Sequence, residues 1–168
     1  MFSIPNFYTN TIGMPLRLTS GVPFAFTAPG WGRHNSLIVD TIELFGPRYA
    51  PNSFIIFLQD TLNNIAIYEQ SWLAPLGLSI TAWTQLPDIL LYHETARMLF
   101  FLELVTLHGP ISQKRKLELE ELCRESNLSR TYISVFFSRD DFRPYATHIA
   151  WDTMIWLAQI PDHVIYYQ

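Results

Sequence analysis

The chain has 168 residues, of which 49% are hydrophobic and 15% are charged. This length and composition are typical of one globular domain with a sizeable core, and they exclude a disordered chain. The 11 basic and 15 acidic residues give a formal net charge of −4, which argues against binding nucleic acid through bulk positive charge alone. This net charge still allows a local basic patch that contacts phosphate.

Location in the cell is the next property that the sequence bears on. No apolar run approaches the length of a membrane span, and the opening MFSIPNFYTN resembles no secretory signal. The single cysteine, Cys123, excludes an internal disulfide and suits a reducing compartment. We therefore expect a cytoplasmic protein without a membrane partner.

The first third of the chain divides into a lead-in and the start of a domain. Residues 1–30 contain four prolines and no clean period, which predicts an irregular lead-in, with the folded domain over 31–168. Apolar positions recur at helical spacing from Arg33 to Phe45, and Gly46-Pro47 is expected to end that helix. The run Phe54–Leu58 predicts a buried strand, and Ile65–Tyr68 predicts its hairpin partner.

Further elements follow in alternation. A helical turn is expected within residues 70–78, followed by two strands, Ile89–Tyr92 and Met98–Val105. In the helix predicted over Ser112–Cys123, three leucines are expected to face inward: Leu117, Leu119 and Leu122. The remaining predicted elements are a strand at Thr131–Phe137, a helix at Asp140–Tyr145, and strands at Thr153–Ala158 and His163–Tyr167. Together these patterns indicate one α/β domain with a mixed central sheet flanked by helices.

Two acidic residues occur in the apolar strands of the middle region. Asp88 opens the first strand and Glu103 lies inside the second, where an isolated carboxylate is costly to bury. The five-residue link 93–97 predicts an antiparallel hairpin, which places Asp88 opposite roughly residue 102, next to Glu103. Two converging carboxylates call for a cation, and Mg²⁺ or Mn²⁺ is the usual choice when phosphate oxygens complete the coordination.

Several motifs in sequence order resemble one known family. The segments are GRHNSLIVDTIELFGPRYAP, LPDILLYH, ELVTLHGPISQKRKLELEEL and VFFSRDDFRPYATHIAWDTMIWLAQIPDHVIYY. They resemble the BsuBI/PstI type II restriction endonucleases over about residues 30–168, and the Pro-Asp, hairpin and Glu pattern resembles the wider PD-(D/E)XK nucleases. The resemblance implies a restriction-endonuclease-like fold and a homodimer that cuts double-stranded DNA as part of restriction-modification.

The resemblance also implies roles for individual residues. Asp88 and Glu103 would be the metal-binding and catalytic carboxylates, with Lys114 as the preferred catalytic cation. His108, Arg115 and Lys116 would contact phosphate or DNA. The chain departs from the family at Ser36, where members tend to have Glu, and at Trp83-Thr84-Gln85, where they tend to have His-Gly-Lys. Val105 occupies the position that is lysine in the wider motif.

Plainer interpretations stand beside these. Asp88 would also suit a turn after Pro87, and Glu103 an edge strand. The basic residues of the predicted helix, Lys114, Arg115 and Lys116, would also suit a solvated face paired with glutamates one turn away. The second function hypothesis is accordingly a relative that binds DNA or protein and no longer cuts, and a third is a structural subunit of a larger assembly.

Overall fold

A computed structural model describes residues 12–26, 32–60, 65–82, 85–106 and 108–168 of the chain. The strands are β1 (Phe54–Gln59), β2 (Ile65–Tyr68), β3 (Ile89–His93), β4 (Met98–Leu104), β5 (Ser129–Phe136), β6 (Thr153–Leu157) and β7 (Val164–Tyr167). The helices are α1 (Arg33–Asp40), α2 (Gly46–Tyr49), α3 (Gln70–Leu73), α4 (Gln113–Leu122) and α5 (Arg139–Phe142). A π-helical segment, Thr41–Phe45, joins α1 to α2, and a 3₁₀ turn, Arg143–Tyr145, follows α5.

All seven strands form one sheet in the order β2-β1-β3-β4-β5-β6-β7. The central strands β4, β5 and β6 run parallel, whereas every other neighbouring pair is antiparallel. The parallel pairs arise because helical connections return the chain to the same end of the sheet, α4 between β4 and β5 and α5 between β5 and β6. The predicted mixed α/β sheet and both predicted hairpins are therefore confirmed. Residues 61–64, which link the strands of the first hairpin, lie outside the described residues.

Each face of the sheet is covered by its own helices, which suits central strands that are apolar on both sides. On one face, Leu102 and Leu104 of β4 pack with Leu37 and Phe45 of the first helix. On the other face, Phe101 packs with residues of α4 such as Leu119. Glu103 is a partly buried acidic residue of β4. It lies two residues after Phe101, so its side chain is on the α4 side of the sheet.

Two expectations about the helices are wrong. The first helix does not stop at Gly46-Pro47 but continues to Tyr49. The π-helical segment before it shifts the hydrogen-bond pattern, so Pro47 enters a new helical turn near its start, where a missing N–H is tolerated. Leu117 does not face inward but is 55% exposed, because α4 turns Leu119 and Leu122 toward the sheet instead.

The lead-in partly contacts the sheet. Arg17 forms a parallel bridge with Phe54 at the start of β1, and Leu16 is fully buried in the core beside the first helix. Residues 1–11 and 27–31 lie outside the described part of the chain, so the expected division into 1–30 and 31–168 stays a prediction. In the described ranges, no helix combines the length and the apolar character needed to cross a lipid bilayer.

Candidate active site

The two acidic residues singled out in the sequence meet at one end of the sheet. Ile89 pairs with Leu102 across the β3–β4 hairpin, so the next position outward places Asp88 opposite Glu103. The link of five residues expected from the sequence predicts this same placement of Asp88 next to Glu103. Asp88 is 4% exposed and the Glu103 side chain is 14% exposed. The two carboxylates therefore lie side by side with little contact with water.

Asp88 is held by two hydrogen bonds, one to each carboxylate oxygen. The amide of Gln59, at the end of β1, donates to Oδ1 at 2.8 Å. The backbone N–H of Leu104 donates to Oδ2 at 2.8 Å. The backbone N–H of Gln59 also donates to the Asp88 carbonyl at 3.0 Å. These bonds offset the cost of burying the carboxylate and fix its orientation, while each oxygen keeps a second lone pair.

Glu103 is held by a cation from the following helix. The Arg115 Nε–H donates to Glu103 Oε1 at 2.7 Å, and Nη2 donates to the Leu86 carbonyl at 3.1 Å. Burial and the nearby charge of Asp88 raise the pKa of Glu103 to about 7, against the opposing effect of Arg115. Near neutral pH this carboxyl is therefore divided between its charged and neutral forms, and a bound cation would favour the charged one.

Helix α4 places Arg115 at the site through its own first turn. Ser112 is the N-cap of α4, and its Oγ accepts a hydrogen bond from the Arg115 N–H at 3.2 Å. Arg115, Leu119 and Leu122 are spaced by four and three residues, which puts them on one face of the helix. Because Leu119 and Leu122 are buried against the sheet, Arg115 faces the sheet end too.

These side chains line an open cleft of about 570 Å³. Its walls also include His108, Tyr145 and His148, with His108 exposed at the cleft. The volume is enough for a substrate group to reach Asp88 and Glu103 from solvent.

The other two predicted cations of α4 lie elsewhere. Lys114 lines a separate groove with Leu117, Glu118 and Glu121 on the outer side of the helix. The Lys116 Nζ donates to the Trp151 carbonyl at 3.0 Å and lies 3.8 Å from Glu120. Of the three consecutive basic residues, the structure brings Arg115 to the carboxylates. The catalytic assignment of Lys114 and the DNA-binding assignment of Lys116 stay predictions.

The positions that depart from the family pattern or from the wider motif are described as well, except Trp83 and Thr84, which lie outside the described residues. Val105 is 7% exposed and packs with Phe136 and Ile149, so it completes the core where the wider motif has a lysine. Ser36 is exposed, and its hydroxyl donates to the Gly32 carbonyl at 3.1 Å.

Sequence reasoning missed the residue that orients Asp88. Gln59 follows the apolar run of β1, and a polar residue at the end of a buried strand was a usable signal for a site at that sheet edge. Tyr145 and His148 gave no comparable signal, because they reach the cleft only through the packing of the loop after α5.

The residues present suit a hard divalent cation with few protein ligands. In the described ranges, no three side chains among His, Cys, Asp and Glu converge closely enough to hold a metal ion. Two adjacent carboxylates, one with a raised pKa, match an ion that takes one or two carboxylates and completes its shell with waters and phosphate oxygens.

Comparison with known proteins defines the class. In fold, the chain is similar to a protein described as the SdaI restriction endonuclease, with a TM-score of 0.79 and 27% identity over 94% of this chain and 49% of that one. The mixed sheet and its helices thus form a restriction-endonuclease-like α/β fold. The description "BsuBI/PstI restriction endonuclease domain" belongs to the family that matches residues 15–168. The chain is a member of that family.

Two curated relatives agree with this membership. The type II restriction enzyme BsuBI of Bacillus subtilis is 32% identical over 154 residues, which are 92% of this chain and 48% of that enzyme. The type II restriction enzyme AplI of Arthrospira platensis is 22% identical over 120 residues, 67% of this chain and 37% of that enzyme. The chain thus spans half or less of the length of the curated relatives it matches.

Proposed function

We propose that the protein is a metal-dependent DNA endonuclease of the restriction type, which hydrolyses phosphodiester bonds in double-stranded DNA. The observation that supports it best is the pairing of Asp88 and Glu103 at the floor of an open cleft, with Arg115 beside them. Family membership supports the same reaction, since the relatives are described as type II restriction enzymes.

The carboxylates would hold Mg²⁺ or Mn²⁺. A divalent cation at such a site neutralises charge on the phosphodiester and makes water a better nucleophile. Asp88 supplies a rigid ligand, because Gln59 and the Leu104 N–H restrict its carboxylate. Glu103 would be an adjustable ligand, because burial and Asp88 raise its pKa to about 7 and a bound cation would favour its charged form.

We assign the cationic role on the protein side to Arg115. Its guanidinium has five N–H donors, and contacts to Glu103, Leu86 and Glu118 leave two of them for a phosphate oxygen in the cleft that Arg115 lines. His108, exposed at the same cleft, is the second candidate for phosphate contact. Lys114 is the alternative source of positive charge, and the variant Lys114→Ala tests it.

The assembly follows from the substrate. Two-fold symmetric DNA sites are cut by two-fold dimers, so we propose a homodimer that acts on double-stranded DNA in the cytoplasm. Light scattering after size exclusion, with and without duplex DNA, measures this directly. A monomer under both conditions contradicts the dimer without contradicting the cleavage site.

The test of the activity is cleavage of supercoiled plasmid and of genomic DNA, with Mg²⁺ and with EDTA. We expect cleavage with Mg²⁺ alone, and we expect Asp88→Ala to abolish it. The matched control is Asp140→Ala, which removes an 87% exposed carboxylate that pairs with Arg143. Equal cleavage by the wild type and by Asp88→Ala would mean that the site is assigned wrongly.

One observation favours the second candidate function, a relative that binds DNA or protein without cutting. Arg115 already neutralises Glu103 at 2.7 Å, and Val105 provides no cation in the strand. Titration calorimetry separates the two functions: absence of Mg²⁺ and Mn²⁺ binding, together with retained DNA binding, supports the non-cutting relative.

A further inference from the structure

The loop before β6 brings a second imidazole to the cleft of the candidate active site. His148 lies in this loop, is exposed, and lines the same cleft as Asp88 and Glu103. His108, which follows β4, lines that cleft as well. The family resemblance implies a phosphate contact for His108 but gives no role to His148. The cleft therefore has two histidines beside its carboxylates, and they come from different loops.

Hydrogen bonds connect the loop of His148 to the sheet beside Glu103. Glu103 pairs with Ser134 of the neighbouring strand β5. The Ser134 hydroxyl accepts a hydrogen bond from the Ile111 N–H at 2.9 Å, and the Ile111 carbonyl accepts one from the Ala150 N–H at 3.0 Å. His148 is two residues before Ala150, so its backbone is attached to the sheet at the level of Glu103.

Two further hydrogen bonds hold the rest of this loop. The His148 N–H donates to the Tyr145 carbonyl at 2.8 Å. The Tyr167 hydroxyl, on β7, donates to the Ala146 carbonyl at 2.9 Å. The loop is thus arranged in advance of any ligand, and binding at His148 requires little ordering of the backbone.

The His148 side chain has a ring nitrogen to offer to a ligand. Among the described residues, its ring takes part in no ion pair and in a single hydrogen bond, a long one of 3.4 Å between Nδ1 and the Thr147 hydroxyl. Nε2 is therefore open to the cleft. An imidazole has one N–H donor when neutral and two when charged, and phosphate oxygens accept such hydrogen bonds.

The separation of His148 from the carboxylates favours a phosphate contact over a metal ligand. In the described ranges, His148 does not converge with Asp88 and Glu103 closely enough for the three to share an ion. It nevertheless lines the cleft that holds them. A DNA strand bound at the carboxylates continues along the cleft with further phosphates, so His148 is placed to meet one of these.

We propose that His148 binds a phosphate of the DNA backbone that neighbours the phosphate to be cut, as a partner of His108 in the same cleft. This inference rests on the proposed function for its ligand, duplex DNA, and requires that the protein binds DNA but not that it cuts. Phosphate contacts position a duplex without reading its sequence. The contribution of His148 should therefore be the same for duplexes of different sequence.

The test is the affinity for two labelled duplexes of unrelated sequence, measured by fluorescence anisotropy at several KCl concentrations. EDTA is present throughout, so that neither metal binding nor cleavage contributes. We expect His148→Ala to weaken binding to both duplexes by about 3–10-fold, which is the loss expected for one hydrogen bond. Because His148 is exposed, the variant should unfold at the same temperature as the wild type.

A second variant tests the position by its charge. His148→Lys places a full positive charge at the same site, and it should steepen the slope of log affinity against log salt by roughly 0.9, the value for one phosphate contact. The matched controls are Thr95→Ala and Thr95→Lys. Thr95 is exposed in the turn between β3 and β4, at the end of the sheet away from the carboxylates. Both controls should leave affinity and slope unchanged.

Three outcomes overturn the inference. They are unchanged affinity in His148→Ala, a slope change in His148→Lys no larger than that in Thr95→Lys, and absence of duplex binding by the wild type. The variant His148→Lys keeps the test valid if His148→Ala folds poorly.

Plasmid cleavage separates this inference from the proposed nuclease function. Cleavage by the wild type and its loss in Asp88→Ala, together with unchanged DNA affinity in His148→Ala, retain the nuclease and reject the phosphate contact. DNA binding that depends on His148, without cleavage in Mg²⁺, retains the phosphate contact and rejects the nuclease.

Discussion

The buried carboxylates at one end of the sheet differ in the partners that the protein gives them. On the α4 side, the chain supplies its own partners: Asp88 has Gln59 and a backbone N–H, and Glu103 has Arg115. Directly after β1, Asp60 has an oxygen that the described chain leaves unpaired. Asp88 and Glu103 are therefore arranged in advance of any ligand, whereas the cost of burying Asp60 Oδ1 is not offset by a hydrogen bond.

The largest expected effect comes from removing the donor that orients Asp88. Gln59→Leu leaves Oδ1 of a buried carboxylate without its hydrogen bond. We expect a loss of roughly 10–100-fold in metal affinity or in Mg²⁺-dependent cleavage, as for other outer partners of metal ligands. Calorimetry and plasmid cleavage measure it, with Gln159→Leu at an exposed position as the control. Unchanged values would show that Asp88 needs no support from β1.

The next effect separates Arg115 from its neighbour Lys114. Arg115→Ala leaves Glu103 without its cation, and we expect it to lower the free energy of unfolding by about 1–3 kcal/mol. The cost stays moderate because Glu103 can take up a proton. Lys114→Ala, on the outer groove, should change stability by less than about 0.5 kcal/mol.

Urea unfolding measures the stabilities, and cleavage by both variants tests their roles in the reaction. Loss of cleavage in Lys114→Ala, with cleavage retained in Arg115→Ala, would restore Lys114 as the catalytic cation. The reverse result supports Arg115.

A further effect concerns the dependence of stability on pH. The pKa of Glu103 is about 7 in the folded protein, above its ordinary value, so the proton favours folding. The stability that Glu103 contributes is full below its unfolded pKa, near 4.5, and is lost as pH rises through 7. Glu103→Gln has no such loss.

The melting temperature of Glu103→Gln relative to the wild type should therefore be higher at pH 8 than at pH 5. In a chain of this size, each kcal/mol of change in the free energy of unfolding shifts the melting temperature by about 2–4 °C. Glu121→Gln, at an exposed position of α4, should show no such trend. A constant difference across the pH range would contradict the raised pKa.

The hairpin was predictable because its link is short. The five residues predicted between the two strands, which are four in the structure, allow few registers. Counting across them placed Asp88 next to Glu103, as the pairing of Ile89 with Leu102 confirms. The family resemblance, confirmed by the match over residues 15–168, supplied the class of protein.

Which basic residue of α4 reaches the carboxylates depended on how the helix is rotated about its axis. Three basic residues in succession look alike in sequence, and the expectation that Leu117 faces inward would have turned Arg115 away from the sheet. Packing against the sheet selects the stripe of Arg115, Leu119 and Leu122 instead. The unpaired oxygen of Asp60 was equally invisible, because sequence patterns do not reveal which buried acid lacks a donor.

The close contact between Gly46 and the lead-in bears on where a shortened form of the protein can begin. A Cβ at position 46 would lie 2.6 Å from Leu16 Cγ, so the first helix and the lead-in are fitted to each other. Removing the residues before 31 would take away a fully buried leucine that packs with the first helix. Any minimal version of this domain therefore has to start ahead of Leu16, although the helix itself begins at Arg33.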